Sequence, residues 1–117
     1  MEPVKAISHG MPGGGLVLEW VLTAKAAMSE AHGNSSYRPE SIKATGTIDG
    51  GFVSVQGSND HKDPTAWFDL HDLNGDVLEI ADEGLRSLRE STAWVRVKAE
   101  SGDAKMAVVC KLFVQQL

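Results

Sequence analysis

One polar segment of the chain has the residue types of a ligand site. Asp60, His61 and Asp63 lie within four residues, and carboxylate and imidazole groups so close together are able to hold a divalent ion. The same segment, Ser58 to Pro64, consists of residues that favour turns on conformational grounds alone. Because no repeated His or Cys spacing accompanies it, we expect a turn whose polar side chains bond its own backbone, with no metal and no cofactor. Trp67 is then expected to anchor the returning strand in the core.

A second acidic segment resembles the start of a calcium-binding loop. Asp72 to Asp76 reads Asp-Leu-Asn-Gly-Asp, and Glu83 falls at the twelfth position counted from Asp72. However, the sixth position is Val77, where an EF-hand has Gly, and the flanking residues predict strands where an EF-hand has helices. The Asn74-Gly75 pair therefore predicts a hairpin turn at this place.

The other reactive side chains show no catalytic pattern. Cys110 alternates with Val108 and Leu112, so we expect a buried thiol. Gly13-Gly14-Gly15 precedes a strand, and it lacks the helix N-terminus with which a glycine loop binds phosphate. The histidines lie in or beside polar segments, and none belongs to a Ser-His-Asp or Cys-His signature; they are His9, His32, His61 and His71. We expect that the chain is not an enzyme.

Composition and charge exclude several classes of protein. A chain of 117 residues is long enough to bury one core without disulfide or metal staples. Sixteen acidic residues against eleven basic ones give a formal charge of −5, which opposes binding to nucleic acid or to anionic membranes. The single cysteine cannot form an intramolecular disulfide and fits a reducing cytoplasm. No apolar stretch reaches the roughly 20 residues of a spanning helix, and the start lacks the apolar region of a secretory signal.

Alternating apolar and polar residues predict the elements that position these side chains. Tight turns are expected at Asp49-Gly50, Asn74-Gly75 and Ser101-Gly102, the first of them closing a hairpin between the strands on either side. The fold class predicted is all-β, an antiparallel β-sandwich of jelly-roll or discoidin-like type. Its strands are expected at Leu16 to Leu22, Ser41 to Ile48, Phe52 to Gly57, Trp67 to Leu70, Val77 to Ile80, Trp94 to Ala99 and Met106 to Val114.

Three further segments complete the predicted domain organisation. Ala24 to Glu30 and Asp82 to Arg89 contain good helix formers and predict one or two short helical segments. Residues 1–15 carry two Pro and four Gly, so we expect a flexible N-terminal arm that orders only on contact with a neighbouring subunit or shell. Residues 16–117 form the single sandwich domain in this interpretation.

A row of side chains on one strand is the predicted partner contact. Val95, Val97 and Ala99 should point inward, which leaves Trp94, Arg96 and Lys98 in a row on the other face. An exposed aromatic residue beside two cations suits a contact with protein or glycan. The alternative is that Trp94 packs beneath a loop. Together with the apolar residues of the arm, the predicted contact residues are Met1, Val4, Ile7, Met11, Trp94, Arg96 and Lys98.

The order of the motifs resembles a group of small virion proteins of tailed bacteriophages. The resemblance extends from Leu16 to Val114, nearly the whole chain, and concerns structural motifs. The chain departs from the pattern at His61-Lys62-Asp63-Pro64, where the group has Gly, and this departure lengthens the turn. The best matches are Gly46-Thr47-Ile48-Asp49-Gly50-Gly51, Gln56-Gly57-Ser58-Asn59-Asp60, Trp67, Gly84-Leu85, Leu88-Arg89-Glu90 and Trp94-Val95-Arg96.

The resemblance implies a capsid decoration (cement) protein, which sits on the outside of the icosahedral head and reinforces it. The implied partners are the major capsid protein and further copies of the chain, as a homotrimer. The implied location is the capsid surface of the virion, after synthesis in the host cytoplasm. Two alternatives stay open. The Gly-Ser-Asn-Asp…Trp portion also resembles discoidin-type carbohydrate-binding sandwiches, a glycan-binding interpretation that we favour less, and a tail or neck structural subunit fits the same fold.

Overall fold

The computed structural model describes residues 3–23, 27–34, 36–48, 50–100 and 106–116. These residues form ten β-strands and no helix, and thus no helix among them is long and apolar enough to cross a membrane. The strands are β1 (Ile7–Gly10), β2 (Leu16–Thr23), β3 (His32–Gly33), β4 (Tyr37–Thr47), β5 (Phe52–Ser58), β6 (Phe68–Asp69), β7 (Glu79–Ile80), β8 (Gly84–Ser87), β9 (Trp94–Glu100) and β10 (Ala107–Gln116).

The strands form two sheets that pack against each other. Sheet I has the order β1-β2-β10-β4-β8, and sheet II has the order β3-β9-β5-β6, with β7 also paired to β5. All pairings between these strands are antiparallel. The predicted all-β antiparallel β-sandwich is therefore confirmed.

The core lies between the sheets and is built from the alternating apolar residues. In β2 the buried side chains are Leu18, Trp20 and Leu22, and in β10 every second residue from Val108 to Val114 is buried in the same way. Full burial of such a side chain contributes about 1.5–3 kcal/mol. Cys110 lies within this core as predicted, and desolvation by burial raises the pKa of its thiol to about 12.

The predicted hairpin between β4 and β5 is wrong. Strand β4 pairs with β10 and β8 in sheet I, whereas β5 pairs with β9, β6 and β7 in sheet II. The turn, in which the Gly51 N–H donates to the Ile48 carbonyl at 3.3 Å, carries the chain from one sheet to the other. Gly50 has a φ of 79° there, while Asp49 lies outside the described residues. The alternation of apolar and polar residues determines which face of a strand is buried. It does not determine which strand pairs with it, because any strand with the same period can do so.

The hairpin predicted at Asn74-Gly75 is present next to the turn, whereas further out β6 and β7 each pair with β5. His71 and Val77 form an antiparallel bridge, and the Leu78 N–H donates to the Leu70 carbonyl at 2.9 Å. Gly75 has a φ of 87°, a backbone conformation that glycine adopts without strain. The Asx-rich turn thus has the role that its sequence predicts.

The predicted helical segments are not found in the described residues. Asp82 to Arg89 contains strand β8, which pairs with β4; so short a helix is unstable alone, and the open edge of β4 offers backbone partners to an extended chain. Of Ala24 to Glu30, residues 24–26 lie outside the described part of the chain. The rest is extended beside β9, where the Ser29 N–H donates to the Val97 carbonyl at 2.9 Å.

The N-terminal segment is docked on its own domain. Within the described residues 3–15, β1 pairs with β2 from Ile7 opposite Glu19 to Gly10 opposite Leu16. Further out, the Val4 N–H donates to the Met28 carbonyl at 2.8 Å. The prediction of an arm without regular structure is therefore wrong for this part, because the open edge of β2 offers unpaired backbone groups that the segment satisfies.

Candidate functional site

The polar turn after β5 is held by its own side chains. The Asp60 N–H donates to the Ser58 hydroxyl at 2.9 Å. Asp63 accepts bonds from the Thr65 hydroxyl at 2.7 Å and from the Thr65 N–H at 2.9 Å. The side-chain bond, followed by the backbone bond, lowers the pKa of Asp63. The prediction that this segment bonds its own backbone is confirmed.

The two acidic segments have no metal-binding arrangement in the structure. The Asp72 carboxylate accepts bonds from the Asn74 and Asp76 N–H groups at 2.8 and 3.1 Å, as expected of a turn. Glu83 instead reaches sheet I, where it accepts a bond from the Gly46 N–H at 3.0 Å. Throughout the described ranges, no group of three or more His, Cys, Asp or Glu side chains is placed to hold a metal ion.

The predicted row on β9 faces outward, but its members already have partners within the chain. Trp94 stacks with His61 of the polar turn, with ring centroids 3.7 Å apart. Lys98 pairs with Glu100 at 3.0 Å. The alternative in which a loop covers Trp94 is therefore the one that the structure supports.

Arg96, between them, is held by two neighbours. Its guanidinium carbon lies 4.2 Å from the centroid of the Trp67 ring, and its Nε donates to Gln56 Oε1 at 2.9 Å. The pKa of Arg96 is lowered because partial burial desolvates it. Trp67 is only half-buried and is not among the core residues, which corrects the prediction that it anchors the returning strand there.

Sheet I has a different outer face, on which apolar side chains are exposed. Register places Ile7, Glu19, Lys111, Lys43 and Leu85 in one row across all five strands. Ile7 is 56% and Leu85 64% exposed, at the two edges of the sheet. In the middle of the row, Glu19 lies 3.3 Å from His9 Nε2 and 3.9 Å from Lys111 Nζ.

Exposed apolar side chains extend this face along the strands. Val21, between buried Trp20 and Leu22 on β2, is 44% exposed and points to the same side as Glu19. Of the predicted contact residues, Ile7 and the 43%-exposed Met11 lie on or beside this face. Val4 is half-buried against the core, and Met1 lies outside the described residues.

A pocket of about 430 Å³ opens where β5 ends. Its floor includes Gly57, where an added Cβ would collide with the side chain of Thr92 and come within 2.9 Å of Leu70. Its wall includes Phe68, which is 69% exposed. The ionisable side chains that line it are Asp60, Asp69, His71 and Glu90.

A half-exposed pair, His71 and Glu90, joins two segments of the pocket wall. His71 donates its backbone N–H to Glu90 Oε1 at 2.7 Å, and its Nδ1 lies 2.6 Å from Glu90 Oε2. Desolvation acts to raise the pKa of Glu90, but the hydrogen bonds from His71 and its charge outweigh this effect, so the pKa lies below its ordinary value. Both carboxylate oxygens are occupied by this pair, which leaves Nε2 as the ring nitrogen that can meet a ligand.

The sequence does not reveal the pocket. His71 and Glu90 are 19 positions apart; His71 belongs to no motif, and Glu90 belongs only to the structural match Leu88-Arg89-Glu90, which predicts no pocket. Phe68 stands beside Trp67 in a short apolar run, which predicts a buried strand rather than an exposed ring. Among the ionisable residues of the pocket, only Asp60 is indicated by the sequence, because it belongs to the polar turn Ser58 to Pro64.

Comparisons of the chain with protein-family models, with curated proteins and with solved structures found no match. The functional interpretation therefore depends on the geometry described above and on the residues of the chain.

Proposed function

We propose that this chain is a structural protein of a tailed-bacteriophage virion that binds the outside of the icosahedral head and stabilises it. The observation that carries the proposal is the outer face of sheet I, where Ile7, Val21 and Leu85 are exposed on three of the five strands. Ile7 and Val21 lie on the neighbouring strands β1 and β2, and exposed apolar side chains close together on a surface are typical of protein contacts. The resemblance of the chain from Leu16 to Val114 to virion proteins supplies the class of partner.

The dimensions of this face suit a protein interface. Four inter-strand spacings of about 4.8 Å give a width of roughly 19 Å, and a ten-residue strand extends roughly 33 Å. A surface of that size approaches the ~800 Å² that each partner contributes to an interface of standard size. The charged residues in the middle of the row, Glu19, Lys111 and Lys43, would fix the register of the contact through complementary charges on the partner.

The proposed partners are the major capsid protein and further copies of the chain. A homotrimer on a symmetric shell would present several copies of the same face, and simultaneous engagement raises the overall avidity without a larger single contact. Strand β1 is part of the face, since Ile7 and His9 lie opposite Glu19 and Val17. The N-terminal segment would then bind the shell as an ordered edge strand.

The test is binding of the purified protein to phage heads that lack it. The variant carrying Ile7→Asp, Val21→Asp and Leu85→Asp should lose binding, because it places three charges in a contact that excludes water. The matched control carries Leu73→Asp and Val77→Asp, two exposed apolar residues on the Asn74-Gly75 hairpin, and should bind as the unmodified protein does. Failure of the unmodified protein to bind any head, or binding by the sheet I variant, would contradict the proposal.

A further inference from the structure

We propose that the pocket at the end of β5 receives a lysine or arginine side chain of a partner protein. This site is separate from the outer face of sheet I, and the proposal does not depend on a role in the virion. It follows from the shape of the pocket, the sign of its charge and the nature of its apolar wall.

The charge of the pocket is negative in either protonation state of its histidine. Three carboxylates, Asp60, Asp69 and Glu90, line it together with one imidazole, His71, and no Lys or Arg is among its lining residues. A cation is therefore attracted whether the imidazole is neutral or charged. A carboxylate ligand would meet repulsion in the same place.

Two of the carboxylates have an oxygen that is free to meet a ligand. Asp60 uses Oδ1 for the Lys62 N–H at 3.3 Å, and Asp69 uses Oδ1 for Gln56 Nε2 at 3.2 Å. Among the described residues, neither Oδ2 atom accepts a hydrogen bond. These bonds also fix the orientation of both side chains, so a ligand does not have to order them.

The apolar part of the lining matches the carbon stem of a basic side chain. Ala66, Phe68 and Leu70 contribute to the wall, and the face of an aromatic ring such as Phe68 attracts a cation. Lys and Arg combine an aliphatic stem with a cationic end. A volume of about 430 Å³ exceeds that of one side chain, and so leaves room for part of the backbone that carries it.

The proposal is tested by titrating ¹⁵N-labelled protein with a blocked arginine, N-acetyl-arginine methylamide. The matched neutral probe is N-acetyl-citrulline methylamide, which has nearly the same shape without the charge. We expect the arginine probe to shift the amide signals of Phe68, Asp69 and His71, and the citrulline probe to bind at least threefold more weakly. Two added anion–cation contacts at a solvated site are worth about that factor.

Substitutions locate the contact and separate charge from shape. Asp60→Asn with Asp69→Asn keeps both Oδ1 acceptors and should weaken the arginine probe about three- to tenfold. The control, Asp76→Asn with Glu79→Gln, removes two exposed carboxylates outside the pocket and should leave binding unchanged. Phe68→Ala should weaken it about two- to fivefold, whereas Leu73→Ala, at a residue equally exposed at 69%, should have no effect.

Three results would overturn the proposal. The first is equal affinity for the arginine and citrulline probes. The second is the absence of shifts at the pocket with the arginine probe at about 0.3 M and constant ionic strength, a concentration above the Kd of roughly 0.02–0.2 M expected for contacts of this strength. The third is a response of the same amides to N-acetylglucosamine in place of the cation, which would make the pocket a glycan site. None of these results depends on binding to phage heads.

Discussion

The outer faces of the two sheets differ in what their side chains already contact. On sheet II, Trp94 stacks on His61 and Arg96 is held by Trp67 and Gln56. On sheet I, Ile7, Val21 and Leu85 are exposed side chains whose apolar surface meets solvent. The outer face of sheet II has the residue types most typical of an interface, but these side chains are engaged in contacts within their own fold. The outer face of sheet I is available to a partner. What a side chain already contacts decides its availability more than its type does.

The largest change in the free energy of unfolding is expected from a substitution that strains the backbone of sheet I. Gly46 has a φ of 113°, and an added Cβ would collide with the Ala107 carbonyl oxygen of the neighbouring strand. Gly46→Ala should therefore lower the free energy of unfolding by about 2 kcal/mol or more, from backbone strain and collision together. Urea unfolding followed by tryptophan fluorescence measures it. Gly10→Ala is the control, because an added Cβ there meets no atom within 4 Å.

A second prediction concerns the engaged face directly. Trp94→Ala should lower the free energy of unfolding by about 2 kcal/mol, because it removes a half-buried ring from its stack with His61. His61→Ala, which leaves Trp94 in place, should cost less, about 0.5–1.5 kcal/mol. Thermal and urea unfolding of both variants provide the measurement. A cost near zero for Trp94→Ala would mean that this ring is free to serve a partner.

The third prediction is a loss of stability at mildly acid pH. Burial lowers the pKa of His32, so the unfolded chain takes up a proton at a higher pH than the folded protein does. The free energy of unfolding should therefore fall as the pH decreases from about 7 to about 5, across and below the ordinary pKa of histidine. His32→Gln should flatten this slope, as measured by urea unfolding at several pH values. An unchanged slope would show that His32 does not cause it.

The Glu90 carboxylate is expected to cause a second pH dependence of stability, at a lower pH than that of His32. Its pKa lies below the ordinary value in the folded protein, so its contribution to stability is present above the ordinary pKa of Glu, about 4.3, and is lost as the pH falls further. Glu90→Gln should thus lower the free energy of unfolding above about pH 5, and its difference from the unmodified protein should shrink as the pH falls and the carboxylate is protonated. A difference that stays constant or grows as the pH falls to about 3 would contradict this assignment.

The smallest change in the free energy of unfolding is expected from a substitution on the outer face of sheet I. Leu85→Ala should change the free energy of unfolding by at most about 0.5 kcal/mol, because the side chain is 64% exposed at the edge of sheet I. Differential scanning calorimetry against the unmodified protein is sufficient. A large destabilisation would mean that Leu85 supports the fold and is not reserved for a partner.

Local features of the structure could be predicted from the sequence. The outward row of Trp94, Arg96 and Lys98 and the buried Cys110 follow from the two-residue period of a strand, which the backbone imposes wherever the strand lies. The self-bonded turn at Ser58 to Pro64 follows from side chains that bond backbone groups two residues away. Each of these depends only on neighbours in sequence.

Features that depend on distant residues could not be predicted in the same way. Which strands pair with β4 and β5 is decided by the packing of whole sheets, and β8 forms because the β4 edge offers partners to residues with weak local preference. The pocket requires His71 and Glu90 to meet across 19 positions. The docking of Ile7–Gly10 on β2 likewise depends on an edge that only the complete sheet provides.

Hydroxyl-radical footprinting of the protein, free and bound to phage heads, tests most directly whether the outer face of sheet I is the docking surface. Oxidation of Ile7, Met11 and Leu85 should fall on binding, since a contact that excludes water protects exposed side chains. Oxidation of Trp94 and of exposed Leu73 on the Asn74-Gly75 hairpin should stay the same. Protection of Trp94 together with unchanged oxidation of Ile7 and Leu85 would contradict the assignment and return the contact to sheet II.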